Sequence, residues 1–236
     1  MKRLTAKEIK KILLGVVLSD GYIDQKGNRF ELYSKSLEYA EFITGVIQQI
    51  SGMSVRLSVK NDKRGYIGYR VSTKSHPYWN NMKQYVYKAR KNLNSYNVAR
   101  LDEQSLAHIW MCDGYLEHAK NRKLGKVQNI GWFCLEAFPK EELELFQNRL
   151  KEFGIESSLT KKPWGFGYRV RIGGINLQRF ISLIYQFVLP SFNHKTILFY
   201  KEKESADMSL SNAKHYIQEY ECIEDIVRHP LKKGIT

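Results

Sequence analysis

Apolar residues recur at helical spacing near the start of the chain, and the stripe ends on an acid. Ile9, Ile12, Leu13, Val16 and Asp20 share one helix face, and Thr5 with Glu8 starts that helix as a capping box. Asp20 therefore stands where the next core residue belongs. The form returns later: Asp102 suits an N-cap, Leu106, Ile109 and Trp110 make the stripe, and Asp113 is next on it. Gly21-Tyr22 and Gly114-Tyr115 follow the two acids, with the glycines reading as helix stops.

After each acid-tipped helix the period changes. Residues 28–35 read as extended, and the next helix carries Leu37, Phe42, Val46, Ile47 and Ile50 before stopping at Ser51-Gly52. Val55, Leu57 and Val59 then alternate with Arg56, Ser58 and Lys60. Across a turn at 61–65, Ile67, Tyr69 and Val71 alternate with Arg70, Ser72 and Lys74. This predicts a hairpin with one basic face, followed by a helix over 76–90 with Trp79, Met82, Val86 and Tyr87 inward. The later half predicts an extended segment at 127–135 and a helix with Leu143, Leu145, Phe146 and Leu150 that stops at Gly154. Beyond it, Phe166, Tyr168, Val170 and Ile172 alternate with Arg169 and Arg171. Gly-Tyr-Arg-Val at 68–71 returns at 167–170 in the same strand phase. Two motifs repeating in one order at nearly one spacing imply a duplicated chain.

Duplication changes what the acids mean. A carboxylate at a helix C-terminus opposes the macrodipole, which favours a cation there by roughly 0.3–1 kcal/mol. If the two stripes pack on each other about a pseudo-twofold axis, Asp20 and Asp113 arrive side by side at one end. Paired carboxylates and free helix-end carbonyls are hard oxygen ligands of the kind Mg²⁺ takes, so the pair implies a divalent-metal site.

Composition narrows the partners. The 236 residues include 38 Lys and Arg against 24 Asp and Glu, a net charge of +14 that no long basic block carries. Charge spread over folded surface suits a protein lying along a polyanion, so nucleic acid is favoured over a ribosomal or membrane-surface role. The 43% hydrophobic content is ample for a core in one large or two small domains. Cys112, Cys134 and Cys222 form no paired framework, and the six His lack zinc spacing, which points to a reducing compartment and no zinc site. Met1-Lys2-Arg3 leads straight into the capped helix and no apolar run is long enough to span a bilayer. The expectation is a soluble, intracellular protein without a membrane partner, in an organelle matrix or a bacterial or phage-infected cytoplasm.

The two acid-tipped stretches resemble the paired motifs of the LAGLIDADG homing endonucleases, in the single-chain form that carries both. Leu13, Gly15, Asp20 and Gly21 match in the first copy, and Leu106, Ala107, Asp113 and Gly114 in the second. His108 departs from the pattern where Gly15 is small, which would hinder close helix packing, and Cys112 stands opposite Ser19. An asymmetric interface is expected. The resemblance implies an α+β fold of two αββαββα halves, at 1–95 and 96–200, with saddle-shaped antiparallel sheets and a central two-helix interface. Residues 201–236 would be a helical extension, with a helix at 213–227.

The resemblance also implies a basic residue near the metal from each half. Lys91, in Lys91-Asn92-Leu93, and Lys195, after Leu189-Pro190, match those settings, although Asn94 replaces an expected proline and Arg90 competes with Lys91. Asp20 and Asp113, with the backbone carbonyls of Ser19 and Cys112, would hold Mg²⁺, with Mn²⁺ substituting. The candidate DNA contacts are Arg29, Arg56, Lys60, Arg70, Lys74, Lys161, Arg169 and Arg171. The implied activity is intron-homing endonuclease chemistry by a monomer: a metal-dependent, staggered double-strand break with 3′ overhangs in a long asymmetric DNA. An RNA maturase acting on its own intron RNA is the alternative, and a non-cutting DNA-binding protein the third class. An intein is not expected, since the chain begins directly at the endonuclease pattern.

Overall fold

A computed structural model describes residues 2–24, 26–61, 65, 67–121, 126–162 and 165–198. The expected helix at 213–227, the extension from 201 and Cys222 lie outside these residues. The first half runs α1 (Ala6–Leu18), β1 (Tyr22–Ile23), β2 (Phe30–Ser34), α2 (Leu37–Gln48), β3 (Val55–Asn61), β4 (Ile67–Thr73) and α3 (Pro77–Val86). A short α4 (Ser95–Val98) precedes α5 (Glu103–Asp113), β5 (Gly114–Asn121), β6 (Lys126–Phe133), α6 (Lys140–Glu152), β7 (Ser158–Lys161), β8 (Tyr168–Gly173) and α7 (Gly174–Ile184). Each half is αββαββα, as expected. The antiparallel sheets have the equivalent strand orders β1-β2-β4-β3 and β5-β6-β8-β7.

The duplication is visible in the register. Tyr22 pairs with Glu31, Glu31 with Ser72, and Ser72 with Arg56; in the second sheet Tyr115 pairs with Trp132, Trp132 with Arg171, and Arg171 with Ser158. Leu32 and Val71, like Phe133 and Val170, fill the opposite, buried face. In the first half Trp79 of α3 stacks on Phe30 at 4.7 Å. In the second, Trp110, Phe146 and Phe180 meet Phe133 edge-on at 5.1–5.3 Å. Aromatic pairs of this geometry add about 0.5–1.5 kcal/mol each beyond the area they bury.

Helices α1 and α5 join the two cores. Both capping boxes form, and Lys11 of α1 pairs with the Asp102 carboxylate that caps α5. Further along, Gly15 faces Ser105 and the Cβ of His108. The helices therefore run side by side in the same direction, and Asp20 and Asp113 emerge at one end.

The structure corrects several expectations. His108 does not obstruct the interface: only its Cβ faces Gly15, while its imidazole turns toward α2, stacking on Phe42 and bonding Tyr39. The buried stripe of α2 is Tyr39, Ala40, Ile43, Val46 and Ile47, whereas Leu37 is exposed. Helix α3 stops at Val86, because Tyr87 is extended and bridges to Lys91. Val59 and Ile67, at the hairpin tip beyond the reach of α2, are 63% and 59% exposed, and Phe166 lies outside β8 and is 98% exposed. Gly21 and Gly114 stop their helices without left-handed backbone. They are needed because a Cβ at either would strike the carbonyl of Val16 or Trp110.

Candidate nucleic-acid and metal site

The two acids meet where α1 and α5 end. Asp20 presents its carboxylate to solvent, yet the protein mass behind it raises its pKa. Asp113 is half-buried and pushed up to about 7, first by burial and then by the charge of Asp20. Lys91 and Lys195 lower both. Burial in turn pulls the two lysines below their ordinary range, while the acids hold them up. The four groups thus form one coupled electrostatic unit of two carboxyls and two lysines.

Each lysine reaches its own half's helix end. Lys91 Nζ donates to the Ser19 carbonyl, and Lys195 Nζ donates to the carbonyls of Met111 at 2.7 Å and Cys112 at 3.5 Å. Cations at free helix-end carbonyls are what the dipole favours. Arg90 points elsewhere, to Glu142 at 2.7 Å. Lys195 closes a short 3₁₀ segment (Pro190–Lys195), and its carbonyl accepts from Trp110 Nε1 at 3.1 Å.

The sequence reading missed how Lys91 is held. Asn92 donates twice to the Val86 carbonyl at 3.0 Å, and Asn94 and Asn97 donate to the Tyr85 carbonyl at 3.1 and 2.9 Å. These amides satisfy the free end of α3 and fold the chain back, so that Lys91 faces α1. Asn94 does the work of the expected proline, since it also caps α4. A run of three asparagines within six residues was the available signal.

A second unforeseen feature lies beneath the acids. Tyr39 Oη contacts Cys112 Sγ at 3.3 Å and His108 Nδ1 at 3.1 Å, and the Cys112 thiol also meets Asp20 and the Ser19 hydroxyl. Burial raises the Cys112 pKa to about 12, keeping it a thiol, and pushes His108 down to about 3, keeping it neutral. Ser19 and Cys112, opposite each other in the two copies, are thus in contact across the axis.

The oxygen donors present suit a hard divalent cation: two carboxylates and the carbonyls that the lysines now cap. Among the described residues no group of three His, Cys, Asp or Glu gathers as a metal cage. A metal here would rest on one carboxylate from each half and on backbone oxygen.

The basic positions fall on the outward face with one exception. Arg56, Lys60 and Arg70 share the face opposite the core, with Lys74 just past β4 and Arg29 just before β2. Arg169 and Arg171 hold the equivalent face of the second sheet. Lys161 pairs with Tyr168 and so has core-side parity, off that face. Arg29, Arg70 and Arg169 are ion-paired to Asp24, Glu31 and Glu136. Exposed Tyr22, Tyr33 and Tyr115, together with Trp132, interleave this face with rings, and Arg171 lies over Trp132 at 6.0 Å.

Solved structures share this architecture. The homing endonuclease I-WcaI bound to its DNA recognition sequence superposes with a TM-score of 0.69 at 22% identity, over 84% of this chain and 89% of that one. The N-terminal LAGLIDADG domain of DUF199/WhiA gives 0.52 at 14% identity, over 84% and 90%. Full-length DUF199/WhiA from Thermatoga maritima gives 0.51 at 15% identity, over 82% and 60%. At these identities the likeness is one of fold. Among helices of the described residues, none is long and apolar enough to cross a membrane. No curated protein sequence matches the chain. Residues 10–180, which carry both acid-tipped helices and both sheets, match the LAGLIDADG DNA endonuclease family, and the chain belongs to it.

Proposed function

We propose that this protein is a site-specific homing endonuclease that acts as a monomer, making a metal-dependent, staggered double-strand break with 3′ overhangs in a long DNA target. The observation that carries this reading is the meeting of Asp20 and Asp113 at one end of the α1–α5 pair, each helix end attended by a lysine of its own half. Asp20 and Asp113, with the Ser19 and Cys112 carbonyls, would hold Mg²⁺, and Mn²⁺ has the same oxygen preference. When bound there, such an ion lowers the pKa of attacking water and stabilises a leaving 3′ oxygen. Lys91 and Lys195 place positive charge at the developing phosphorane, and the basic outward faces of both sheets lie along the phosphates. The register rows differ between halves, with Glu31, Ser72 and Arg56 opposite Trp132, Arg171 and Ser158, so the two half-targets need not be palindromic.

The test is cleavage of a randomised DNA library by the wild type and by the Asp20→Asn/Asp113→Asn variant, with Mg²⁺ and with chelator, reading the cut ends. Metal-dependent cuts at one long motif, absent in the variant, support the reading. A folded, nucleic-acid-binding protein that cuts no library member refutes it and makes intron RNA the next substrate to try.

A further inference from the structure

Each lysine-bearing segment is tied to the opposite half. The Leu93 backbone N–H, two residues past Lys91, donates at 2.8 Å to Glu142 Oε2 on α6 of the second half. Glu142 Oε1 pairs at 2.7 Å with Arg90, whose guanidinium also donates to the Lys91 carbonyl at 2.6 Å. The same carboxylate therefore grips the chain on both sides of Lys91. In the other direction, the Ser191 N–H, in the segment ending at Lys195, donates at 2.8 Å to Glu38 Oε2 on α2 of the first half. The Ser191 hydroxyl meets that of Ser36, the N-cap of α2, also at 2.8 Å.

The two contacts are related by the internal symmetry. Helices α2 and α6 hold equivalent places in the two αββαββα units. Glu38 immediately precedes buried Tyr39 and Glu142 immediately precedes buried Leu143, with buried Val46 and Leu150 following at the same interval. Both glutamates lie in the first helical turn, where a carboxylate is favoured by the dipole and costs little to keep charged.

We infer that Glu38 and Glu142 are reciprocal positioning residues, each holding the lysine-bearing segment of the other half. This rests on the reading above, in which each lysine serves the phosphate at its own helix end. Under it, each lysine is placed jointly by its own half and by the glutamate of the other, so the clamps couple docking to chemistry. A lysine displaced by about 1 Å costs up to a hundredfold in rate. Glu142 has the greater leverage, because it holds two partners and its contact with Leu93 is partly buried, whereas the Glu38 contact is exposed.

The experiment uses full-length protein and a supercoiled plasmid bearing the target, with the two strands resolved. Glu142→Ala is expected to slow by roughly tenfold or more the strand cut that Lys91→Met slows. Glu38→Ala is expected to slow, by less, the opposite strand, the one affected by Lys195→Met. Glu142→Gln, near-isosteric and still able to accept from Leu93, should recover part of the rate. Amide hydrogen exchange gives a readout without DNA: Leu93 exchanges faster in Glu142→Ala with Ser191 unchanged, and the reverse holds in Glu38→Ala. Equal slowing of both strands, or unchanged exchange at both amides, overturns the proposal. If the wild type cuts nothing, the endonuclease reading fails, while exchange still decides whether the clamps exist.

Discussion

Replacing Gly15 with alanine sets two effects of opposite sign against each other. On α1 alone the change is favourable, since alanine is better than glycine in a helix interior by about 0.8–1.0 kcal/mol and the methyl buries another ~0.8 kcal/mol. In the folded protein that Cβ would stand well under 3.0 Å from the Ser105 carbonyl oxygen and 3.0 Å from the His108 Cβ. Neither neighbour can rotate away, because one is backbone and the other is fixed to it. Nor can α1 retreat, as Ile12 to Leu18 are buried throughout. Restoring normal contact requires the helices to part by up to about 1 Å, and overpacking of this kind costs about 1–3 kcal/mol, at times more. With the clash against rigid backbone at or above the upper end of that range, the net is a loss of about 1–3 kcal/mol, or a Tm lower by roughly 3–10 °C for a protein of this size. Scanning calorimetry measures it directly. Because Asp20 and Asp113 ride on the same two helices, DNA cleavage should fall further than DNA affinity. An unchanged or higher Tm would show that helix propensity dominates and would refute the close-packing argument.

Three further outcomes are expected. His108 is held neutral with its pKa down at about 3, so below about pH 6.5 the unfolded chain takes up a proton that the folded protein refuses, and the contribution of this residue to stability falls with acid by up to ~1.4 kcal/mol per pH unit. Protonation of Asp113 stabilises the fold over the same range, so the histidine is read as a difference: between urea titrations at pH 7 and pH 5 the wild type should lose about 2 kcal/mol relative to His108→Gln, and parallel behaviour of the two proteins would contradict it. At pH 8 without divalent ions, Asp113→Asn should raise Tm, because burial and Asp20 disfavour the Asp113 charge, and added Mg²⁺ should then stabilise the wild type more than the variant. A Tm drop on substitution, or equal Mg²⁺ responses, would count against the paired-acid site. Asn97→Ala removes the donors to the Tyr85 and Asn92 carbonyls, and should cost about 2–3 kcal/mol in chemical denaturation, with a loss below 0.5 kcal/mol ruling out its capping role.

Much of this protein was legible in the chain because its elements are written in local periodicities. Helical stripes, period-two strands and the caps Thr5 and Asp102 each depend on residues a few positions apart, and they returned the five helices expected among the described residues and the hairpin. Duplication added a long-range constraint that a single sequence seldom offers. Two copies of one pattern place their acids together if the copies pack symmetrically, so the meeting of Asp20 with Asp113 followed from sequence and symmetry alone. Tertiary structure decided what symmetry leaves free. Whether His108 blocks or spans the interface depends on where its ring can turn, and α2 supplied Tyr39 and Phe42 to receive it. Whether Lys91 or Arg90 faces the acids depends on the fold of residues 87–94, which Asn92, Asn94 and Asn97 impose together with Glu142 from the other half of the chain. Lys161 has the right charge but the wrong parity, because it lies two residues past Leu159, which packs against the core, and pairs with Tyr168 on that same face. Periodicity reports which residues share a face, but only packing determines what that face meets.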